Sequence, residues 1–176
     1  MSANSILIDR LPVSILGAPI NSDFKSILKF FELQDGDDED RAEKICAVLF
    51  PEGAPDTPLL RDELKAFITM GEECGDEGEK IFDFRIDASR IFASFYQAYR
   101  IDLSRESLHW WAFLSLFSAL PDDTIIRKVM EIRARKIDPK SSPKERTELI
   151  KMKERYSLNK SGGGDDIGLG VLFRRK

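Results

Sequence analysis

The stretch Leu108-His109-Trp110-Trp111-Ala112-Phe113-Leu114-Ser115-Leu116-Phe117 decides how the rest of the chain is read. It is apolar around most of a helix, and such a helix is normally packed on several sides. Two adjacent tryptophans point about 100° apart on a helix, so one face cannot hide both. Either both are core, or one faces the core while the other lines an interface, where aromatic side chains concentrate binding energy. The run Trp110 to Leu120 is eleven residues long with two serines inside it, about half of what a bilayer needs. The stretch therefore reads as the centre of a water-soluble helical fold, entered at Ser104 as cap, running from Arg105 to Leu120 and ended by Pro121. His109 is expected to bond a carbonyl or a carboxylate, with Asp102 at the helix entrance one candidate.

Helical patterns surround this centre. Phe24, Ile27, Leu28 and Phe31 recur at i, i+3, i+4, i+7 behind the cap residues Asn21, Ser22 and Asp23. A second helix is expected from Glu39 to about Phe50, with Ala42, Ile45, Cys46 and Leu49 inward. Thr57-Pro58 opens a third, closed by Gly71. Asp87 is a candidate cap for a helix carrying Ala88, Ile91, Phe92, Phe95, Tyr96 and Tyr99. Asp122 or Asp123 starts another, with Ile125, Ile126, Val129 and Ile132 on its apolar side. Ser142-Pro143-Lys144-Glu145 combines cap, first-turn proline and N3 acid, and starts a last helix through about Tyr156. Ahead of all these, Val13 to Ile20 reads as a short hairpin with Gly17-Ala18 in a II′ turn. The expectation is a mainly α fold, a compact bundle of about six helices with a short N-terminal β-hairpin. Along the chain it divides into 1–70, hairpin plus helices; 71–80, an acidic Gly-containing linker; 81–158, a helical C-terminal part; and 159–176, a flexible Gly-rich tail.

Composition bounds the function. The 176 residues are 42% hydrophobic and 33% charged, as in soluble globular domains, and the net charge of −4 is too mild for nucleic-acid binding by the whole chain. Charge is nonetheless uneven. Residues 32–87 hold 18 acids and 6 bases, net −12, whereas residues 124–160 hold 12 bases and 5 acids, net +7. Either these are two solvated faces that attract each other within the fold or between copies, or the basic helices meet an acidic partner or nucleic acid. Tyr156 is the one aromatic of the basic segment, which argues against a base-stacking platform there. Met1 to Arg10 lacks the basic and then long apolar pattern of a secretory leader, so a cytoplasmic, reducing setting with free Cys46 and Cys74 is expected.

Chemistry-bearing motifs fail one by one. Two cysteines and one histidine in three remote places give no zinc spacing. The run Asp35 to Asp40 has Asp40 where a calcium loop needs its sixth-position glycine and Cys46 where it needs the bidentate glutamate. Ser161-Gly162-Gly163-Gly164 is not closed by Gly-Lys-Ser/Thr, so it is no phosphate loop. The expectation is a protein without catalytic residues, cofactor or metal.

A more specific signal lies in a set of strings taken together. Phe82-Asp83-Phe84, Asp87-Ala88, Ile91-Phe92-Ala93-Ser94-Phe95, Tyr99 and Ile101-Asp102-Leu103 precede Leu108-His109-Trp110-Trp111-Ala112-Phe113 and Leu116-Phe117. Ile132-Arg133, Ile137-Asp138 and Lys151-Met152-Lys153-Glu154-Arg155-Tyr156-Ser157-Leu158 follow; Leu11-Pro12 and Pro19 to Phe24 stand at the entry. Over about Leu11 to Leu158 this pattern resembles the Gp15 family of long-tailed bacteriophages and prophages of Gram-positive bacteria, encoded just ahead of the tape measure protein. The resemblance implies a non-enzymatic tail assembly chaperone of the host bacterial cytoplasm. Such a protein coats the tape measure, keeps it soluble and recruits subunits of the major tail (tube) protein. Self-association or a companion chaperone, no membrane and no nucleic acid go with that role. The alternatives are a structural tail or head-completion component of the virion and, on the basic segment alone, a DNA-binding regulator. A client-binding groove of the chaperone would draw on Phe92, Phe95, Tyr96, Tyr99, Trp110, Trp111, Phe113 and Phe117, each of which would serve equally as core.

Overall fold

A computed structural model of the chain describes residues 10–34, 40–72 and 80–158. Most of the acidic run at 35–40, Cys74 with most of the expected linker over 71–80, and the expected tail over 159–176 lie outside the described residues. The fold is mainly α, with a two-stranded antiparallel hairpin near the N-terminus. Among the described residues there are seven helices where about six were expected: α1 Phe24–Gln34, α2 Arg41–Leu49, α3 Leu60–Ile68, α4 Ala88–Tyr99, α5 Trp110–Ser118, α6 Ile125–Ala134 and α7 Pro143–Arg155. They pack as two compact units. The first takes the described residues up to 72 together with Ser107–Ser118, and the second takes residues 80–106 and 119–158. The segment Ser107–Ser118 thus lies in sequence between the two parts of the second unit but packs in the first.

In the first unit, β1 (Ser14–Ile15) pairs with β2 (Ala18–Pro19), Ile15 opposite Ala18. The turn differs by one residue from the II′ reading. Leu16 at φ 51° and Gly17 at φ 83° are its two central residues, both left-handed, which is the I′ arrangement. That turn matches the twist of a two-stranded ribbon, and only Gly17 adopts it without strain. Asp23 caps α1 by accepting from the Lys25 N–H at 2.8 Å, and the Ser107 hydroxyl donates to its other oxygen. The buried face of α1 is Phe24, Ile27 and Phe30, with Leu28 and Phe31 half-buried at its flank.

Helix α5 begins at Trp110, five residues later than the expected start at Arg105. The cause is a backbone bridge. The Phe24 N–H donates to the Leu108 carbonyl at 2.9 Å, and the Trp110 N–H to the Ser22 carbonyl at 2.7 Å. These groups are committed to pairing and cannot enter a helical ladder. Ser104 instead sits in a turn closed by the Asp102 carboxylate, which accepts from the Ser104 N–H at 3.0 Å. His109 then takes the cap position of α5: its Nδ1 accepts from the Trp111 N–H at 3.1 Å, so Nε2 carries the proton and donates to the Pro12 carbonyl at 2.7 Å. The partner of His109 is therefore a carbonyl and not Asp102. Burial pushes the imidazole pKa down, and the Pro12 carbonyl only partly offsets it.

Both tryptophans are core. Trp110 and Trp111 are buried, and their indole N–H groups donate to consecutive carbonyls at the end of α3, Ile68 at 2.9 Å and Phe67 at 2.7 Å. A helix leaves its last carbonyls without intrahelical partners. Two neighbouring acceptors on α3 thus explain how two side chains pointing 100° apart are both satisfied. Phe113 stacks on Phe24 with ring centroids 4.8 Å apart and continues through Trp110 at 5.7 Å and Phe117 at 6.2 Å.

The second unit is organised by one buried ion pair. Asp87, expected as the cap of α4, makes no such cap bond. Its carboxylate is fully buried and meets Arg133 of α6 bidentately, Oδ2 to Nη1 at 2.5 Å and Oδ1 to Nη2 at 3.0 Å. The remaining capacity on both sides is filled. Arg90 and the Asp83 N–H also donate to Asp87, at 2.8 and 3.1 Å. Arg133 further donates to the carbonyls of Tyr156 at 2.6 Å and Ile81 at 3.0 Å. Guanidinium geometry suits this fork-to-fork contact, and its five donors let one side chain join the turn before α4, helix α6 and the end of α7. Helix α7 opens with the capping box read from the sequence: Ser142 Oγ accepts from the Glu145 N–H at 3.2 Å, and the Glu145 carboxylate accepts from the Ser142 N–H at 2.9 Å.

Candidate partner-binding surface

The orientation of α4 follows from what its small residues do. Ser94 is fully buried; its hydroxyl donates to the Arg90 carbonyl at 2.7 Å and accepts from the Ile126 N–H at 3.3 Å. Ile126 lies in the first turn of α6, whose leading N–H groups have no partner in their own helix, and Thr124 offers no side-chain cap. Ser94 supplies the missing acceptor from the neighbouring helix. Gln97 adds a contact to Asp123 at 3.3 Å. Pinned on this side, α4 buries Ile91, Ser94 and Phe95.

Phe92 and Tyr96 are consequently turned outward. They remain 38% and 50% exposed, although each is large enough to be valuable in a core. One turn apart, their rings stack with centroids 6.5 Å apart and planes within 8°. They form an aromatic ledge on a rigid helix, and the exposed positions beside them, Ser89 and Ala93, are small.

The eight residues expected to line a groove are thus distributed in three ways. Phe92 and Tyr96 form the exposed ledge. Phe95 is buried beneath α4 with Tyr99 edge-on to it at 5.7 Å, and partial burial pushes the Tyr99 phenol pKa up. Trp110, Trp111, Phe113 and Phe117 are buried in the first unit with at most 1% of their surface exposed. The sequence pattern placed Phe92 and Tyr96 with Ile91 and Phe95 on one apolar helix. The signal separating them is Ser94, a polar residue in the middle of the apolar face with a backbone group to satisfy across the helix pair.

Other chemistries have little to build on. Among the described residues no three His, Cys, Asp or Glu side chains gather as metal ligands, and no helix is long and apolar enough to cross a membrane. The exposed residues of the α4 face and of the turn leading into it are Arg85, Ala88, Ser89, Phe92, Ala93, Tyr96, Gln97 and Arg100, without an acid among them. Arg100 caps the helix in the left-handed region at φ 58°, its N–H donating to the Tyr96 carbonyl at 3.1 Å. The arrangement can bind an apolar side-chain row but holds no reactive constellation.

No curated protein and no solved structure matches the chain significantly. A family model described as Bacteriophage Gp15 protein matches residues 7–158, which takes in both packing units and the whole of the α4 surface. The chain belongs to the bacteriophage Gp15 family.

Proposed function

We propose that the chain is a non-enzymatic tail assembly chaperone that binds the phage tape measure protein, keeps it soluble in the host cytoplasm and helps recruit tail-tube subunits. Family membership supports the coarser statement, a structural or assembly protein of a bacteriophage. The observation that favours chaperone over permanent component is the Phe92–Tyr96 ledge. Two aromatic rings are left in water on a helix that already fills its core with Ile91 and Phe95. Tape measure proteins are long, largely helical and apolar-striped, and would aggregate if left bare. A helix lying on a helix face is read at i, i+3, i+4 and i+7, which is the spacing an i, i+4 ledge can engage. A ledge this small binds weakly at one place, which suits many copies spread along a client and released as the tube closes over it.

Co-expression with the reading frame immediately downstream tests the reading. The expected result is that the long helical neighbour becomes soluble and co-purifies, and that Phe92→Ala/Tyr96→Ala loses the neighbour while keeping the wild-type melting curve. A neighbour that stays insoluble with or without this chain, together with detection of this chain in purified particles by mass spectrometry, would establish a virion component instead.

A further inference from the structure

We propose that the α4 face selects its client by charge as well as by apolar fit: Arg85 and Arg100 bracket the Phe92–Tyr96 ledge and take an amphipathic helix whose apolar stripe is flanked by acidic residues. The inference rests on the client-binding reading above and narrows the client's chemistry. Arg85, Ser89, Phe92, Tyr96 and Arg100 follow one another at steps of four, three, four and four, the spacing of a single helical stripe. The turn before α4 already follows a helical path, since the Asp87 N–H donates to the Asp83 carbonyl at 2.9 Å. All five residues are exposed. At 1.5 Å per residue the two arginines stand roughly 22 Å apart along the axis, about four turns of a partner helix. Ser89 and Ala93 beside the rings leave room for that helix to approach at the usual spacing of about 8–10 Å.

The charge on this face is uncommitted. Arg90, Arg127 and Arg133 of the same unit are each held by an aspartate, Asp87, Asp122 and Asp87 respectively. Neither Arg85 nor Arg100 has an ion-pair partner among the described residues, and α4 contains no acidic residue. Arg100 also occupies a left-handed cap position at which glycine or asparagine is the ordinary choice. An arginine there strains the backbone and sets a guanidinium at the end of the aromatic row. Strain of this kind persists where function holds it in place. An acidic flank on the partner complements both ends at once, whereas a basic flank is repelled at both.

The test uses the full chain and two fluorescein-labelled helical peptides with the same leucine stripe, one flanked by glutamates and one by lysines. Fluorescence anisotropy is expected to show the glutamate peptide binding about tenfold tighter at low salt, the scale of two exposed ion pairs, with the preference fading at high salt. Arg85→Glu/Arg100→Glu should reverse the preference, and Phe92→Ala/Tyr96→Ala should abolish binding of both peptides. Arg100→Gly guards against misfolding as the cause: it relieves the left-handed strain, so the melting temperature stays level or rises while part of the charge preference is lost. Equal binding of the two peptides, binding of neither, or a preference untouched by the arginine changes would overturn the proposal. So would a change in self-association on sedimentation without any effect on peptide binding, which would make a second copy the occupant. A chain that solubilises the downstream neighbour but ignores peptide charge keeps the chaperone reading and loses this inference; the opposite pair of results does the reverse.

Discussion

Replacing Arg133 by methionine removes the cation from a site where the anion has nowhere to go. Asp87 is 0% exposed, and the substitution deletes both guanidinium contacts at 2.5 and 3.0 Å. It also strips donors from the carbonyls of Ile81 and Tyr156. Breaking one side of a buried pair typically costs about 3–5 kcal/mol, because the remaining charge is left uncompensated. Here Arg90, held to Asp87 at 2.8 Å, still faces the carboxylate and places the expected loss near the lower end, about 3 kcal/mol. Urea unfolding followed by far-ultraviolet circular dichroism measures it. The companion variant Asp87→Leu/Arg133→Met should recover much of that loss, since replacing both partners with packed apolar side chains is often neutral. A loss below about 1 kcal/mol for Arg133→Met, in the range of surface changes, would refute the view that this pair organises α4, α6 and the end of α7. So would a double variant no more stable than the single one.

Other substitutions test the first unit. Leu16→Asn places the favoured Asn-Gly pair in the I′ turn and removes a 44%-exposed leucine from a left-handed position; a gain of up to about 1 kcal/mol is expected in thermal unfolding. Trp110→Phe should destabilise the fold by about 1–3 kcal/mol by leaving the Ile68 carbonyl unpaired, and Trp111→Phe by less, because the Phe67 carbonyl keeps the Met70 N–H at 3.4 Å; an interface tryptophan would instead alter binding and spare stability. His109 gives a pH signature. Its folded pKa lies below the ordinary 6.5, so as pH falls through that value the unfolded chain takes the proton first and stability declines. Denaturant midpoints measured across pH should fall on the acid side for the wild type and lose that component in His109→Gln.

What the sequence disclosed depended on how far apart the partners lie. The capping box of α7 is written within four residues, Ser142 to Glu145, and was readable in full. The helical stripe of α1 was readable for the same reason. The orientation of the tryptophans was not, because their acceptors belong to Phe67 and Ile68, more than forty positions away. Asp87 reads locally as a cap, and only Arg133, 46 positions on, draws its carboxylate into the core. The start of α5 was misplaced because local propensity at Arg105 cannot foresee a backbone bridge to Ser22 and Phe24. For the candidate surface, the residue types and the helix were legible. The outward turn of Phe92 and Tyr96 was not, since it hangs on Ser94 capping a different helix.

The interleaving of the two units bears on synthesis. Until the ribosome has delivered residue 118, the early helices lack Trp110, Trp111 and Phe113, which close their core, and the Ile68 carbonyl at the end of α3 lacks its indole donor. By then residues 80–106 have also emerged, yet they wait for Arg133 and for α7 after it. At roughly 5–20 residues per second, the nascent chain spends several seconds with both cores open, and the second core then waits seconds longer for Arg133 and Tyr156. The polypeptide is therefore not a string of modules that can be severed at 71–80. Residues up to 72 made alone lack Trp110, Trp111 and Phe113, whereas the second unit draws all of its described residues from 80 onward.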